Sequence, residues 1–182
     1  MGNVFLTGFM GTGKTAVGRT LARRLARRFV DLDEEIERSC DLAVAEIFAR
    51  FGERDFRARE RRALERFASL DGAVVATGGG TVVDAENRAT MHAGGAIVCL
   101  TAEVKAILSR VGDARNRPLL ATAPDPARRV RDLLGERAEA YADADFTIDT
   151  SRSSVEQVVD AIARWLRDRA DAPAPASSEP RR

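Results

Sequence analysis

The chain has 182 residues and a mass of 19.8 kDa, near the common size of one domain and long enough to bury roughly two thirds of its unfolded surface. A hydrophobic share of 45%, a charged share of 31%, 14 Gly and 6 Pro describe a packed chain and exclude collagen-like, mucin-like and wholly disordered classes. Basic residues number 29 and acidic residues 28, so the net charge of +1 supplies no general field for nucleic acid and leaves room only for a local basic cleft.

Asn3 to Thr7 is short, apolar and partly β-branched, and it runs into a glycine-rich turn at Gly8 to Gly13. From Lys14, the residues Val17, Leu21 and Leu25 recur at four-residue spacing with arginines between them, which predicts an amphipathic helix packed on a sheet. Phe29 to Leu32 predicts a second strand, followed by the acidic group Asp31, Asp33, Glu34 and Glu35. The region 34–70 has helical character, with candidates at 34–39, 42–51 and 56–67 and a break between the latter two at Gly52. Ala73 to Thr77 predicts a third strand, Gly78 to Gly80 a turn, and then come a helix near 85–91, a strand over 96–100 and a helix over 102–110. The run from Gly112 to Pro126 holds Asn116, Pro118, Pro124 and Pro126 and reads as a loop. A helix over 128–142, a strand over 146–148 and an amphipathic helix over 154–167 follow, the last with Ser151, Ser153 and Ser154 as cap candidates and Glu156 in its first turn. This alternation predicts a three-layer α/β domain over residues 1–170. Residues 171–182, DAPAPASSEPRR, hold too little apolar material to fold and are expected to form a mobile tail.

Cys40 and Cys99 lie far apart without metal-ligand spacing, and are expected to be reduced, partly buried side chains; His92, the single histidine, is expected at a surface or helix end. The first residues, MGNVFLTGFMG, contain neither a charged leader nor a long apolar core, and no segment has the length of a membrane span. A cytoplasmic location is therefore expected, with a monomer as the default state.

The strongest motif is Gly8-Phe9-Met10-Gly11-Thr12-Gly13-Lys14-Thr15, a complete GxxxxGKT between the predicted strand and helix. Its amides can surround β-phosphate oxygens at the positive end of the helix, Lys14 can neutralise the β and γ phosphates, and the Thr15 hydroxyl can coordinate Mg2+. A nucleotide triphosphate is thus expected, with ATPases, GTPases and kinases all open. The absence of an NKxD-like element disfavours a GTPase, and the chain is short enough to be a self-contained phosphotransferase.

Several groups are acceptor-site candidates. Asp31 and Asp33 flank Leu32, and strand alternation would direct both carboxylates alike, one toward hydrated magnesium and one toward an acceptor hydroxyl; an acidic helix start is the alternative. Arg57 and Glu60 share a helix face, so Glu60 could hold the arginine against an anionic substrate, although a solvated charged helix has the same pattern. Gly78, Gly79 and Gly80 fit a backbone-lined ligand turn or a simple structural one. Arg110, Arg115 and Arg117 lie in a stretch that could close over nucleotide or serve as surface. Arg137 and Tyr141 are four residues apart, where aromatic packing could hold the arginine near a pocket.

Taken together and in order, GFMGTGKT, DLD, GERDFR with Glu60, GGG, RNRPLL, RAEAY and IDTS resemble the shikimate kinase family, from about Asn3 to Leu166. The resemblance implies a P-loop kinase fold of nucleoside-monophosphate-kinase type with a five-stranded parallel sheet, a lid over about 112–126, and phosphorylation of the shikimate 3-hydroxyl by ATP with Mg2+. It implies nucleotide contacts at Gly11, Thr12, Gly13, Lys14, Thr15 and Ala16, with Arg110 and Arg152 flanking the base and Arg117 reaching phosphate from the lid. It makes Asp33 the ligand of the shikimate hydroxyls and general-base candidate, and puts Asp31 near hydrated magnesium. It also places Arg57 and Arg137 on the substrate carboxylate, Gly79 and Gly80 in the acceptor pocket, and Glu60 in the supporting network. Shikimate is then the partner, with no nucleic acid and no membrane. Two departures stand out: Glu139 and Ala140 replace a common proline and leucine, and Asn116 lies beside Arg117. A related small-molecule kinase, such as a gluconate kinase, shares the phosphate loop without needing the acceptor pattern, and a nonenzymatic nucleotide switch would bind ATP without turnover.

Overall fold

Strand β1 (Asn3–Thr7) is buried along its whole length and pairs in parallel with β3 (Ala73–Ala76) on one side and β4 (Gly95–Thr101) on the other. The computed structural model describes residues 2–112, 118–121 and 123–171. With β2 (Arg28–Asp31) and β5 (Phe146–Asp149) at the edges, the sheet has five strands, all parallel, in the order β2-β3-β1-β4-β5. Parallel neighbours require crossovers, and helices supply them on both faces.

Alternation along β1 sorts the core into two layers. Val4 and Leu6 face α1 (Lys14–Leu25) and α9 (Val155–Asp171), where Val17, Leu21, Val158 and Ile162 complete one buried cluster. Phe5 faces the opposite cluster, which includes Leu64, Phe67, Met91, Ile107 and Val130. These come from α3 (Val44–Ala68), α4 (Ala85–Gly94), α5 (Val104–Val111) and α7 (Pro126–Glu136). A smaller cluster, Ile36, Ile47 and Phe56, joins α2 (Leu32–Cys40) to α3 beside the sheet's C-terminal edge. Two short helices, α6 (Pro118–Ala121) and α8 (Ala138–Ala142), and a 3-10 turn at Thr81–Val83 complete the described elements.

One expected break is found and two expectations change. The break expected at Gly52 is present: its φ of 79° and ψ of 171° are non-helical and kink the run Val44–Ala68 there, at a position where a side chain would be strained. The helix expected over 128–142 starts at Pro126 and is split at Arg137, which has φ −107° and ψ 3°, so its last five residues form α8. The second strand ends at Asp31, and Leu32 already belongs to α2. Asp31 and Asp33 are therefore not alternating strand residues: Asp31 is the helix cap, its Oδ1 accepting from Asp33 N at 3.1 Å, and Asp33 is in the first turn. The acidic helix start and the paired-carboxylate reading describe the same residues.

Of the serines, Ser154 caps α9, its Oγ accepting from Gln157 N at 3.2 Å, while Ser151 Oγ accepts from Glu103 N at 2.8 Å. Cys99 is buried and Cys40 half-buried, both free thiols, and burial pushes the Cys99 thiol above its ordinary pKa despite Thr7 and the charge of Lys14 nearby. His92 lies in the last turn of α4, 3.3 Å from Asp143. Among the described residues no helix is long and apolar enough to cross a membrane. Residues 172–182, nearly all of the expected tail, lie outside the described ones.

Candidate active site

The loop between β1 and α1 is wound so tightly that glycine is required at its start. Gly8 has φ 126°, and a Cβ there would stand 2.1 Å from Leu100 O. Thr12 Oγ1 donates to Phe9 O at 2.7 Å, and Lys14 Nζ lies 2.8 Å from Gly8 O and 3.0 Å from Phe9 O, so the ammonium is folded back over the concave loop. Gly11, Gly13 and Thr12 form the turn, and Lys14, Thr15 and Ala16 open α1, whose N-terminal amides face the loop.

The outer wall of the loop is held from β5. Thr150, 3% exposed, has its hydroxyl 3.0 Å from both Thr12 O and Thr101 O. Arg110 donates to that hydroxyl at 3.1 Å, to Thr150 O at 2.5 Å and to Gly11 O at 3.3 Å. Arg152 projects beside it, 87% exposed, with Glu103 at 3.6 Å. Arg110 thus touches the phosphate loop directly, whereas the contact of Arg152 is with Glu103.

Thr15 Oγ1 donates to Asp31 Oδ2 at 2.7 Å. A hydroxyl and a carboxylate side by side at the mouth of a phosphate loop are hard oxygen donors, and they suit a cation that keeps most of its waters and takes the rest of its ligands from phosphate. The described residues contain no cluster of three or more His, Cys, Asp or Glu arranged to hold a metal by themselves. Thr15 and Asp31 therefore fit Mg2+ as a companion of nucleotide.

Across the C-terminal edge of β3 lies a second cavity. Asp33, Arg57, Gly79, Gly80 and Arg137 all line it, together with Glu60 and Gly78, and its apolar wall is Met10, Val44, Phe48, Phe56 and Leu119. Arg57 Nη1 donates to Glu60 Oε2 at 2.8 Å, and its Nε and Nη2 reach Glu53 Oε1 at 3.3 and 3.0 Å. Burial works against the Arg57 charge, but the carboxylates of Glu60 and Glu53 outweigh it and hold its pKa above the ordinary arginine value. Glu60 is completely buried, and its other oxygen accepts from Thr81 Oγ1 at 2.7 Å. Arg137 Nη1 and Tyr141 OH both donate to Gly79 O, at 3.0 and 2.6 Å. The Arg137 guanidinium lies over the Phe9 ring at 5.7 Å.

The three glycines have separate neighbours. A Cβ on Gly78 would stand 2.3 Å from Glu60 Oε1 and 3.1 Å from Asp33 Oδ1; on Gly79, 3.4 Å from Met10 N; on Gly80, 2.6 Å from Arg57 Nη2. The turn thus touches the Asp33 carboxylate, the phosphate loop and the Arg57 guanidinium with successive residues.

The structure brings the expected acceptor residues around one cavity and places Gly11 to Ala16 with Arg110 at one loop, the two in contact through Gly79. Arg117, Arg115 and Asn116 of the expected lid lie outside the described residues; the described part, α6, brings Leu119 to the acceptor cavity. Sequence reasoning missed Thr81, Thr150, the hydrogen bond of Tyr141 and the apolar wall. Only Thr150 and Tyr141 carried a signal, as members of IDTS and RAEAY.

The shikimate kinase family profile matches residues 10–167. A shikimate kinase of Geobacter sulfurreducens is 48% identical over 166 residues, covering 91% of this chain and 91% of the relative. A shikimate kinase of Desulforudis audaxviator is 45% identical over 179 residues, covering 98% of this chain and 94% of the relative. Among solved structures, the shikimate kinase from Acinetobacter baumannii in complex with shikimate superposes with a TM-score of 0.90 at 37% identity, covering 94% of this chain and 96% of that one. The shikimate kinase from Aquifex aeolicus gives 0.81 at 32% identity, covering 94% and 99%.

Proposed function

The chain belongs to the shikimate kinase family, and on that premise we propose that it transfers the γ-phosphoryl group of ATP to the 3-hydroxyl of shikimate, releasing shikimate 3-phosphate and ADP. One observation carries the residue assignment. Asp33, Arg57, Gly79, Gly80 and Arg137 line a single cavity, and Gly79 backs directly onto the phosphate loop, with Met10 N 3.4 Å from where its Cβ would be. Donor and acceptor are therefore held on the two sides of one turn.

The loop amides from Gly11 to Ala16 cradle the phosphates, and Lys14, freed from Gly8 O and Phe9 O, moves onto their oxygens. Thr15 and Asp31 would hold Mg2+, Asp31 through water, and the ion would supply positive charge beside the phosphoryl oxygens. Arg57 and Arg137 grip the shikimate carboxylate, Arg57 being kept in place by Glu60 and Glu53. Asp33 accepts a hydrogen bond from the 3-hydroxyl and aims its oxygen. As that oxygen bonds to the γ-phosphorus, the bond to the bridging oxygen of ADP breaks and the hydroxyl proton passes to Asp33. A loose transition state asks little early deprotonation, so orientation dominates the role of this carboxylate. Arg110 and Arg152 border the base, and Arg117 is the family-pattern residue for the transferred phosphoryl charge. Because one chain supplies both sites, a monomer suffices, and dependence on ATP suits the cytoplasm.

The test is an assay with ATP, Mg2+ and shikimate, with the product identified chemically and Lys14→Met as the reference variant. The wild type should form shikimate 3-phosphate, and the variant should lose roughly a hundredfold or more in kcat. No such product from folded wild-type protein overturns the substrate; near-normal turnover by Lys14→Met overturns the role of the lysine.

A further inference from the structure

In the acceptor turn a single backbone oxygen receives two side-chain donors. Gly79 O accepts from Tyr141 OH at 2.6 Å and from Arg137 Nη1 at 3.0 Å, and the two side chains are only 8% and 7% exposed. A planar trans peptide ties the Gly79 carbonyl to the Gly80 amide, so holding the oxygen also fixes where the N–H points. No hydrogen bond among the described residues engages that amide. Gly80 in turn lies against Arg57, whose nitrogens are 2.6 and 2.8 Å from the place of a Cβ. Tyr141 therefore governs a peptide that stands between the two arginines of the acceptor cavity.

We propose that Tyr141 is a positioning residue for the acceptor carboxylate: its hydroxyl holds Gly79 O, which sets the Gly79–Gly80 peptide and the seat of the Arg137 guanidinium. The inference rests on the acceptor reading above. Without the phenol, Arg137 is the remaining side-chain donor to Gly79 O, and its Nη1 is committed to the turn while the peptide gains freedom to rotate. A buried carbonyl that loses one of two donors keeps the other more tightly. The acid group of the substrate then meets an arginine drawn toward the backbone.

Tyr141 is suited to this task chemically. Burial pushes its phenol up to about 12 against the opposing effect of the Arg137 charge, so the group stays protonated and donates at neutral pH. The backbone supports it as well: Tyr141 N donates to Arg137 O at 2.9 Å, which holds the two side chains one helical turn apart.

Tyr141→Phe keeps the ring and removes only the donor. Kinetics with shikimate and with its neutral carboxamide separate positioning from packing, because KM does not depend on the fraction of protein folded. We expect the KM for shikimate to rise about fivefold, the loss of one buried neutral hydrogen bond, with kcat and the KM for ATP within about twofold. The carboxamide should show a ratio near one, since it has no charge for Arg137 to meet. An unchanged KM for shikimate, or an equal rise for acid and amide, overturns the proposal. Wild-type protein that does not phosphorylate shikimate counts first against the function, whereas active wild type with an unaltered variant counts against Tyr141 alone.

Discussion

Arg57 is bound to two carboxylates and lies against a glycine, and each neighbour limits how it can be probed. Replacing it by alanine would leave Glu60, fully buried, without its cation, and stranding a buried charge of this kind costs about 3–5 kcal/mol. A loss of that size would leave little folded protein on which to measure binding. Gly80→Ala is the sharper variant, because its methyl group would enter the space held by Nη1 and Nη2 at 2.8 and 2.6 Å while Glu60 keeps its partner. The expected result is a rise of about tenfold or more in the KM for shikimate, with the KM for ATP nearly unchanged, measured by steady-state kinetics. A KM for shikimate equal to that of the wild type would remove the Gly80–Arg57 contact from the acceptor site.

Elements are tied together by a few buried polar side chains, of which Asn3 is the fullest example. Its Nδ2 donates to Leu70 O at 2.7 Å and Ala68 O at 3.1 Å, and its Oδ1 accepts from Ala73 N at 2.9 Å, so one side chain of β1 joins the end of α3 to the start of β3. Asn3→Ala leaves several backbone groups without that partner and should lower stability by about 1–3 kcal/mol, read as a lower denaturant midpoint with unchanged slope. A midpoint shift below a few tenths of that range would show that water replaces the amide. Asn3 has no signature in the sequence, since its partners are 65 to 70 residues away. The elements that were legible, β1, α1 and the turn at Gly78–Gly80, are those whose local pattern and motif agree. Asp31 and Asp33 were legible as a pair at the end of β2, but strand alternation does not describe them, because a strand's end and a capped helix start share the same acidic residues. The split at Arg137 was hidden for a similar reason: Tyr141 still follows by four residues in a helical turn, so periodicity does not register the break. Hydrogen bonds that span the chain, such as Tyr141 to Gly79 and Thr150 to Thr12, leave no local pattern at all.

At the scale of the whole molecule, composition makes one titration unusually readable. The chain holds a single tyrosine, so its phenolate absorbance belongs to Tyr141 alone. Burial raises that group to about 12, whereas an unfolded tyrosine titrates near 10. A folded pKa above the unfolded one contributes stability that is complete below about pH 10 and is lost as pH rises toward about 12. The wild type should therefore show a phenolate midpoint near 12, and its melting temperature should fall more steeply above about pH 10 than that of Tyr141→Phe. A midpoint near 10 in the folded protein, or parallel melting curves for the two proteins, would contradict the burial of this hydroxyl. The sheet order has a wider consequence. Because β3 is hydrogen-bonded beside β1 with Val4 opposite Val74 and Leu6 opposite Ala76, the loops that leave their ends emerge as neighbours, and the gap between them is inherited from the backbone ladder. Residues in α3 can then drift to suit a different alcohol while Asp33 and the phosphate loop keep the line along which phosphorus travels, so the scaffold separates the choice of recipient from the alignment of the reaction.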